Sequence, residues 1–271
     1  MVENLRGRGR PFTGLGLQAA VTAMGLDPAS DLPRLWAVLT VESRGFGFQP
    51  DRRPKLLFER HVFSRETDRR FDKRAPDLSN SEAGGYIGGA AEYERLDRAV
   101  ALLADAGQAP EAALRSASWG LGQVMGFNHE TAGFPSAAAM VAAILDEEDE
   151  HLMAMAGFVR AHKLGPKLKA GDWEAVAKTY NGKNFAEHGY HIKLRQAFEK
   201  FSSGVSRDLP IRRAQAALLY LGFGKTMGDV DGVLGDNTRR AIRAWRLHAG
   251  LPDSDRLDGG DFDLLMAAAG L

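Results

Sequence analysis

Apolar residues recur at helical spacing along most of this chain, and strand-like alternation is confined to a few short runs. A sequence patterned in this way must bury helix faces against one another, so the expected fold is mainly α with a small β element. Helices are expected over 15–24, from Ser30 or Asp31 to about Ser43, and over 91–105, 110–117, 136–163, 172–180 and 188–203. Either Ser30 or Asp31 can cap the second of these, with Pro33 tolerated in its first turn. The run PKLLFERHVF (54–63) is the best strand-to-turn candidate. Residues 64–90 are polar and glycine-rich and read as irregular surface.

The composition shifts at 202–210 (SSGVSRDLP), where short polar residues and Pro210 suit a linker. A compact three-helix pattern follows. The expected organisation is an N-terminal arm (1–14), a first domain (15–203), a linker (204–210) and a small three-helix C-terminal domain (211–271). Its turns, MGDVDGVLGDNT and DSDRLDGGDF, pair Gly with Asp, as positive-φ turns and helix caps require. Gly232 is expected to supply the turn and Thr238 to cap the next helix.

Charge narrows the function classes. Lys plus Arg and Asp plus Glu number 35 each, so no general field draws the chain to nucleic acid or an anionic membrane. The acidic run Asp146–Glu150 reads as a solvated face, and so by default does the basic stretch from Arg52 to Arg74, which could also serve approach to anionic wall or outer-membrane material or, in principle, nucleic-acid binding. There is no cysteine, which excludes disulfides and thiolate metal sites. His188 and His191 stand three apart beside Glu187, but no HExxH or second cluster joins them, so no metal or other cofactor is expected. No apolar run reaches membrane-span length, and no apolar h-region follows the basic N-terminus, so membrane insertion and a cleavable signal are not expected.

One carboxylate stands out. Leu35, Leu39 and Glu42 share a helix face, flanked by Trp36 and Val38, and glycines at 45 and 47 then turn the chain away. An apolar stripe that ends in a carboxylate at an open turn can keep that acid protonated near neutral pH, because desolvation penalises the charged form. Glycoside cleavage needs such an acid. Spacing alone serves equally well a helix-end Glu bonded to the next loop.

Three segments in order resemble the N-acetylmuramidase endolysins and lytic transglycosylases of the lysozyme superfamily. They are VESRGFGF (41–48), SWGLGQVMGFN (118–128) and KTYNGKNF (178–185), and the likeness to the endolysin muramidases extends through PKLLFERHVF over roughly 15–200. The resemblance implies an α+β lysozyme-like catalytic domain that cleaves the β-1,4 bond between N-acetylmuramic acid and N-acetylglucosamine. It places the catalytic Glu-Ser pair at Glu42 and Ser43 and a cleft-lining amide at Gln123. Gly120 and Gly122 would let backbone approach the ligand. Tyr180 would bond the Glu42 carboxyl, and Asn181 would contact an N-acetyl group. Trp119 is expected in the core. Glu59 is the candidate second carboxylate, with Asp51 and Asp72 behind it.

The C-terminal segments IRRAQAALLYLGF (211–223) and GDVDGVLGDNTRRAIRAWRLHAGL (228–251) resemble a peptidoglycan-binding domain. They depart from it at Ala214-Gln215 and Trp245-Arg246. Together the two likenesses imply a monomer acting on bacterial peptidoglycan, with no nucleic-acid partner. A phage or prophage endolysin held in the host cytoplasm until release fits first, and a secreted effector second. Hydrolysis is favoured over lytic transglycosylation. A non-catalytic wall-binding or structural module is the other class.

Overall fold

The computed structural model describes residues 5–182, 185–204 and 207–271. Fourteen α-helices and one three-stranded sheet are found among them. The chain opens with α1 (Gly14–Ala23), α2 (Leu32–Ser43), β1 (Leu56–Phe58), α3 (Arg60–Glu66), α4 (Ala91–Asp105) and α5 (Glu111–Arg115). It continues with β2 (Ala117–Trp119), β3 (Val124–Met125), α6 (His129–Ala132), α7 (Ala137–Ala143), α8 (Glu148–Ala161), α9 (Gly165–Ala170), α10 (Trp173–Asn181) and α11 (Tyr190–Ser202). The C-terminal helices are α12 (Leu209–Tyr220), α13 (Asp236–His248) and α14 (Gly259–Ala269). The strands run antiparallel in the order β1-β2-β3, with Leu56 opposite Trp119 and Ser118 opposite Met125. Among the described residues no helix is long and apolar enough to cross a membrane.

The large core follows the predicted stripes. Leu35, Trp36, Val38 and Leu39 of α2 are buried, as are Leu17, Ala20 and Val21 of α1. α2 packs along α11, and α1 packs along α8. Thr13 caps α1 by accepting from the Gly16 N–H at 2.9 Å. Pro33 lies in the first turn of α2, as expected, but the Asp31 side chain makes no cap bond to that helix; it accepts from the Asp27 N–H and pairs with Arg34. Trp119 is buried in the core, its indole N–H donating to the Leu114 carbonyl.

Three expectations are corrected. The helix anticipated over 136–163 is two helices, α7 and α8, with a break at 144–147. The acidic run at that break is not a solvated face. Glu148 is fully buried, and its carboxylate accepts from the backbone N–H groups of Phe12 (3.1 Å) and Gly47 (2.7 Å) and pairs with Arg212 (2.6 Å). Asp149 binds Thr13, and Asp146 accepts from the Arg8 N–H. A buried anion needs such partners, and meeting them sets the break between the helices. The third correction concerns Thr238. Gly235 occupies the cap position of α13, while the Thr238 hydroxyl donates to the Val233 carbonyl and accepts from Gln215.

α12 begins at Leu209, within the stretch expected as linker. Asp208 caps it, and Pro210 falls in the first turn, where its missing N–H costs nothing. Gly232 adopts φ +77°, as its turn requires. The C-terminal helices build a second core around Leu218, Ile242, Trp245 and Leu265. Phe46 and Phe48, from the turn after α2, are buried in this second core rather than the first.

Candidate active site

α2 carries Glu42 to its last turn. Arg44 then adopts a left-handed conformation (φ 58°) and closes the helix with bonds to the Leu39 and Thr40 carbonyls. The Lys55 ammonium donates to the Ser43 carbonyl at 2.6 Å, neutralising the negative end of the helix. The Ser43 hydroxyl donates back to Leu39. The helix end is therefore held from both sides, and Glu42 projects from a fixed point.

Glu42 faces a cavity of about 740 Å³. One wall is Leu56 and Leu57 of β1 with Lys55; another is Gln49 and the Gly89–Ala90 segment that starts α4. Gln123 closes a third side, and Leu219, Asp229 and Val230 come from the C-terminal helices. The Glu42 side chain is half-buried, and its Oε1 is fully enclosed without a hydrogen-bond partner. Burial pushes its pKa from 4.5 up to about 8, so the carboxyl is mostly protonated at pH 7. A neutral acid beside an open, part-apolar cavity is the arrangement that proton donation to a leaving group requires.

Gln123 holds a left-handed backbone (φ 46°), an uncommon conformation for a residue with a side chain. Its amide accepts from the Ser118 hydroxyl and donates to the Gly120 carbonyl, each at 2.8 Å. One N–H and one lone pair remain for a ligand. Two glycines behave differently from expectation. A Cβ on Gly120 would strike His151, and one on Gly122 would strike Met155, so both permit close packing of the β2–β3 turn on α8. Gly122 does not line the cavity.

Tyr180 lies on α10 with its ring against Phe158, at a centroid distance of 5.2 Å. Burial, then the charge of Glu42, pushes the phenol pKa well up. The expected bond between the two is not made: neither the Tyr180 hydroxyl nor Glu42 Oε1 has a partner. Asn181 ends α10, and its side chain lies outside the described residues, as do Lys183 and Asn184 of the same motif.

The candidate second carboxylates are not brought to the cavity. Glu59 stands at the start of α3, where it accepts from the Tyr86 hydroxyl at 2.8 Å and lies 3.2 Å from His61. Asp51 pairs with Arg53 at 2.7 Å, and Asp72 accepts from Ser64 and Ser79. None of the three lines the space beside Glu42. Sequence reasoning missed Lys55, whose pKa falls to about 8, chiefly through burial, against the opposing pull of Glu148 and Asp229. A lone Lys between Pro54 and a buried apolar run was the available signal. It also missed Gln49, Arg44 and Asp229. Among the described residues no group of His, Asp and Glu is disposed to hold a metal ion.

The profile of the N-acetylmuramidase family matches residues 31–202, and that of a putative peptidoglycan binding domain matches 207–259. The chain is similar to the crystal structure of the Burkholderia AP3 phage endolysin, with 38% sequence identity, 73% of each chain covered and a TM-score of 0.61. No curated protein matches the sequence. Mainly α and lysozyme-like in fold, the chain belongs to the N-acetylmuramidase family of peptidoglycan-cleaving glycoside hydrolases.

Proposed function

We propose that Glu42 is the general acid that cleaves the β-1,4 bond between N-acetylmuramic acid and N-acetylglucosamine, in the service of phage-type lysis. The carrying observation is the enclosed, unpartnered Oε1 of a carboxyl that burial keeps protonated at the edge of an open cavity. Glu42 gives its proton to the glycosidic oxygen as the bond from C1 breaks. Water then adds at C1, and its proton restores the acid. Ser43 fixes the helix end, Gln123 offers its spare donor and acceptor to sugar groups, and Tyr180 walls the acid from water. Similarity to a phage endolysin supports the lytic role. In that reading the enzyme acts as a monomer and waits in the host cytoplasm before reaching the wall.

A hydrolase commonly uses a second carboxylate. Asp229, already paired with Arg44, is the other carboxylate beside this cavity among the described residues. This favours a water held by amide and hydroxyl groups in the hydrolytic reading. The same observation supports lytic transglycosylation as the second reading, since there the substrate's own 6-hydroxyl attacks. Mass spectrometry of digested sacculi decides between them. Reducing muramic ends are expected, and 1,6-anhydro ends would overturn hydrolysis.

A further inference from the structure

The cavity beside Glu42 is not built by the muramidase segment alone. Leu219, at the end of α12, and Gly228, Asp229 and Val230, in the turn before α13, form its remaining wall. Asp229 Oδ1 meets Arg44 Nε at 3.1 Å, and Arg44 follows the Glu42-Ser43 pair directly. A second cavity, of about 490 Å³, opens beside the same ion pair and is lined further on by Met227, Asp236 and Asn237. The two spaces share Arg44, Gly228 and Asp229, so they adjoin at this ion pair, one beside Glu42 and the other on the C-terminal helices.

That wall is fixed in place. Arg212 of α12 forms a fully buried pair with Glu148 and donates to the Gly45 carbonyl at 2.7 Å. Phe46 and Phe48 insert into the C-terminal core, the Tyr220 hydroxyl donates to Gly9, and Arg52 donates to Ala269. Domains joined through an apolar, hydrogen-bonded seam do not swing freely, in contrast to a tethered module.

We propose that the C-terminal domain is part of the catalytic cleft, and that one peptidoglycan glycan strand lies across both domains with Asp229 as a substrate-binding residue. The chemistry suits an N-acetylated sugar chain. The Asp229 carboxylate can accept from sugar hydroxyls, the Arg44 guanidinium can donate to acetamido carbonyls, and Gly228, at φ +88°, leaves its backbone open to close approach. This rests on the assignment of Glu42 to the reacting bond.

A domain that serves only as a tether raises local concentration at an insoluble wall and does nothing for a dissolved strand. The test is therefore steady-state cleavage of soluble, peptide-free glycan strands by the full chain carrying Asp229→Ala or Asp229→Trp. The Arg44–Asp229 pair is largely solvent-exposed, so its loss contributes little to folding. Asp253→Ala, which removes another exposed partner that lines neither cavity, serves as the control. Asp229→Ala is expected to raise KM on soluble strands about tenfold, the cost of one charge-assisted contact. Asp229→Trp, which fills the junction of the two cavities, is expected to raise it further, and the control is expected to match the parent. Unchanged KM and kcat in folded Asp229→Ala would overturn the proposal. So would faster cleavage, which would make the docked domain an obstruction rather than a wall. Should Asp229→Trp lose its near-ultraviolet dichroism, Asp229→Ala alone decides. Failure of the Glu42 assignment shows separately, as full activity in Glu42→Gln.

Discussion

Glu42 is kept neutral by where its helix ends, and that has consequences for stability as well as chemistry. Its carboxyl titrates near 8 in the fold and near 4.5 when free. The folded state thus binds the proton more tightly, and stability falls as pH rises from about 4.5 through about 8. Glu42→Gln removes this penalty, so at pH 7 the variant is expected to be more stable than the parent by on the order of 2 kcal/mol, with no gain at pH 4. Urea unfolding at the two pH values measures this; equal midpoints at pH 7 would contradict it. For the same reason, kcat/KM is expected to decline above pH 8 as the acid loses its proton. That Glu42 is a buried carboxyl at a helix end was legible in the sequence because a helical stripe fixes a direction in space. That Glu59 would lie outside the lining of this cavity was not legible, because its neighbours in sequence give no sign of which way a residue at a strand end will point. Lys55 was passed over because its role is to reach back to a carbonyl twelve positions earlier.

At the scale of elements, most helices were legible from period and caps, and the failures share one cause. The acidic run at 146–150 satisfies the local pattern of an exposed helix face. Its actual partners lie far away in sequence: Arg8 and Phe12 on one side, Gly47 and Arg212 on the others. No local pattern announces a buried anion whose cation is supplied by another domain. Glu148 and Arg212 act as a joint between the N-terminal arm, the turn after α2 and α12. Arg212→Met would leave Glu148 buried without its cation, and is expected to lower stability by about 3–5 kcal/mol. Thermal unfolding checks this. A shift of less than 2 °C would show that Glu148 has no need of its partner. Phe46→Ala should cost about 3–5 kcal/mol as well, because its ring is buried in the C-terminal core.

For the whole molecule, the sequence divides readily into two units, and a reader of it expects the second to be a detachable wall anchor. The structure instead lends Phe46 and Phe48 from the first unit to the core of the second. A fragment ending at residue 204 would expose both rings and lose the Arg212 pair. It is therefore expected to unfold at a lower denaturant concentration than the full chain. Its cleavage of soluble glycan strands should fall along with its cleavage of intact wall. Full activity of that fragment on soluble strands would show that the domains are functionally separable. The two-unit pattern was legible because each unit has its own periodicity, while the seam was hidden because two aromatic residues in a glycine-rich turn and an ion pair between residues distant in sequence, Glu148 and Arg212, help to make it. Everything in this arrangement converges on the carboxyl at the end of α2. The most direct measurement is the rate at which purified Glu42→Gln clears a peptidoglycan suspension at pH 6–7, with its dichroism and melting recorded alongside. The rate is expected to fall by about 10²–10⁴-fold in a protein that is folded and no less stable than the parent; clearing within a few-fold of the parent rate would contradict the assignment of Glu42 as the acid.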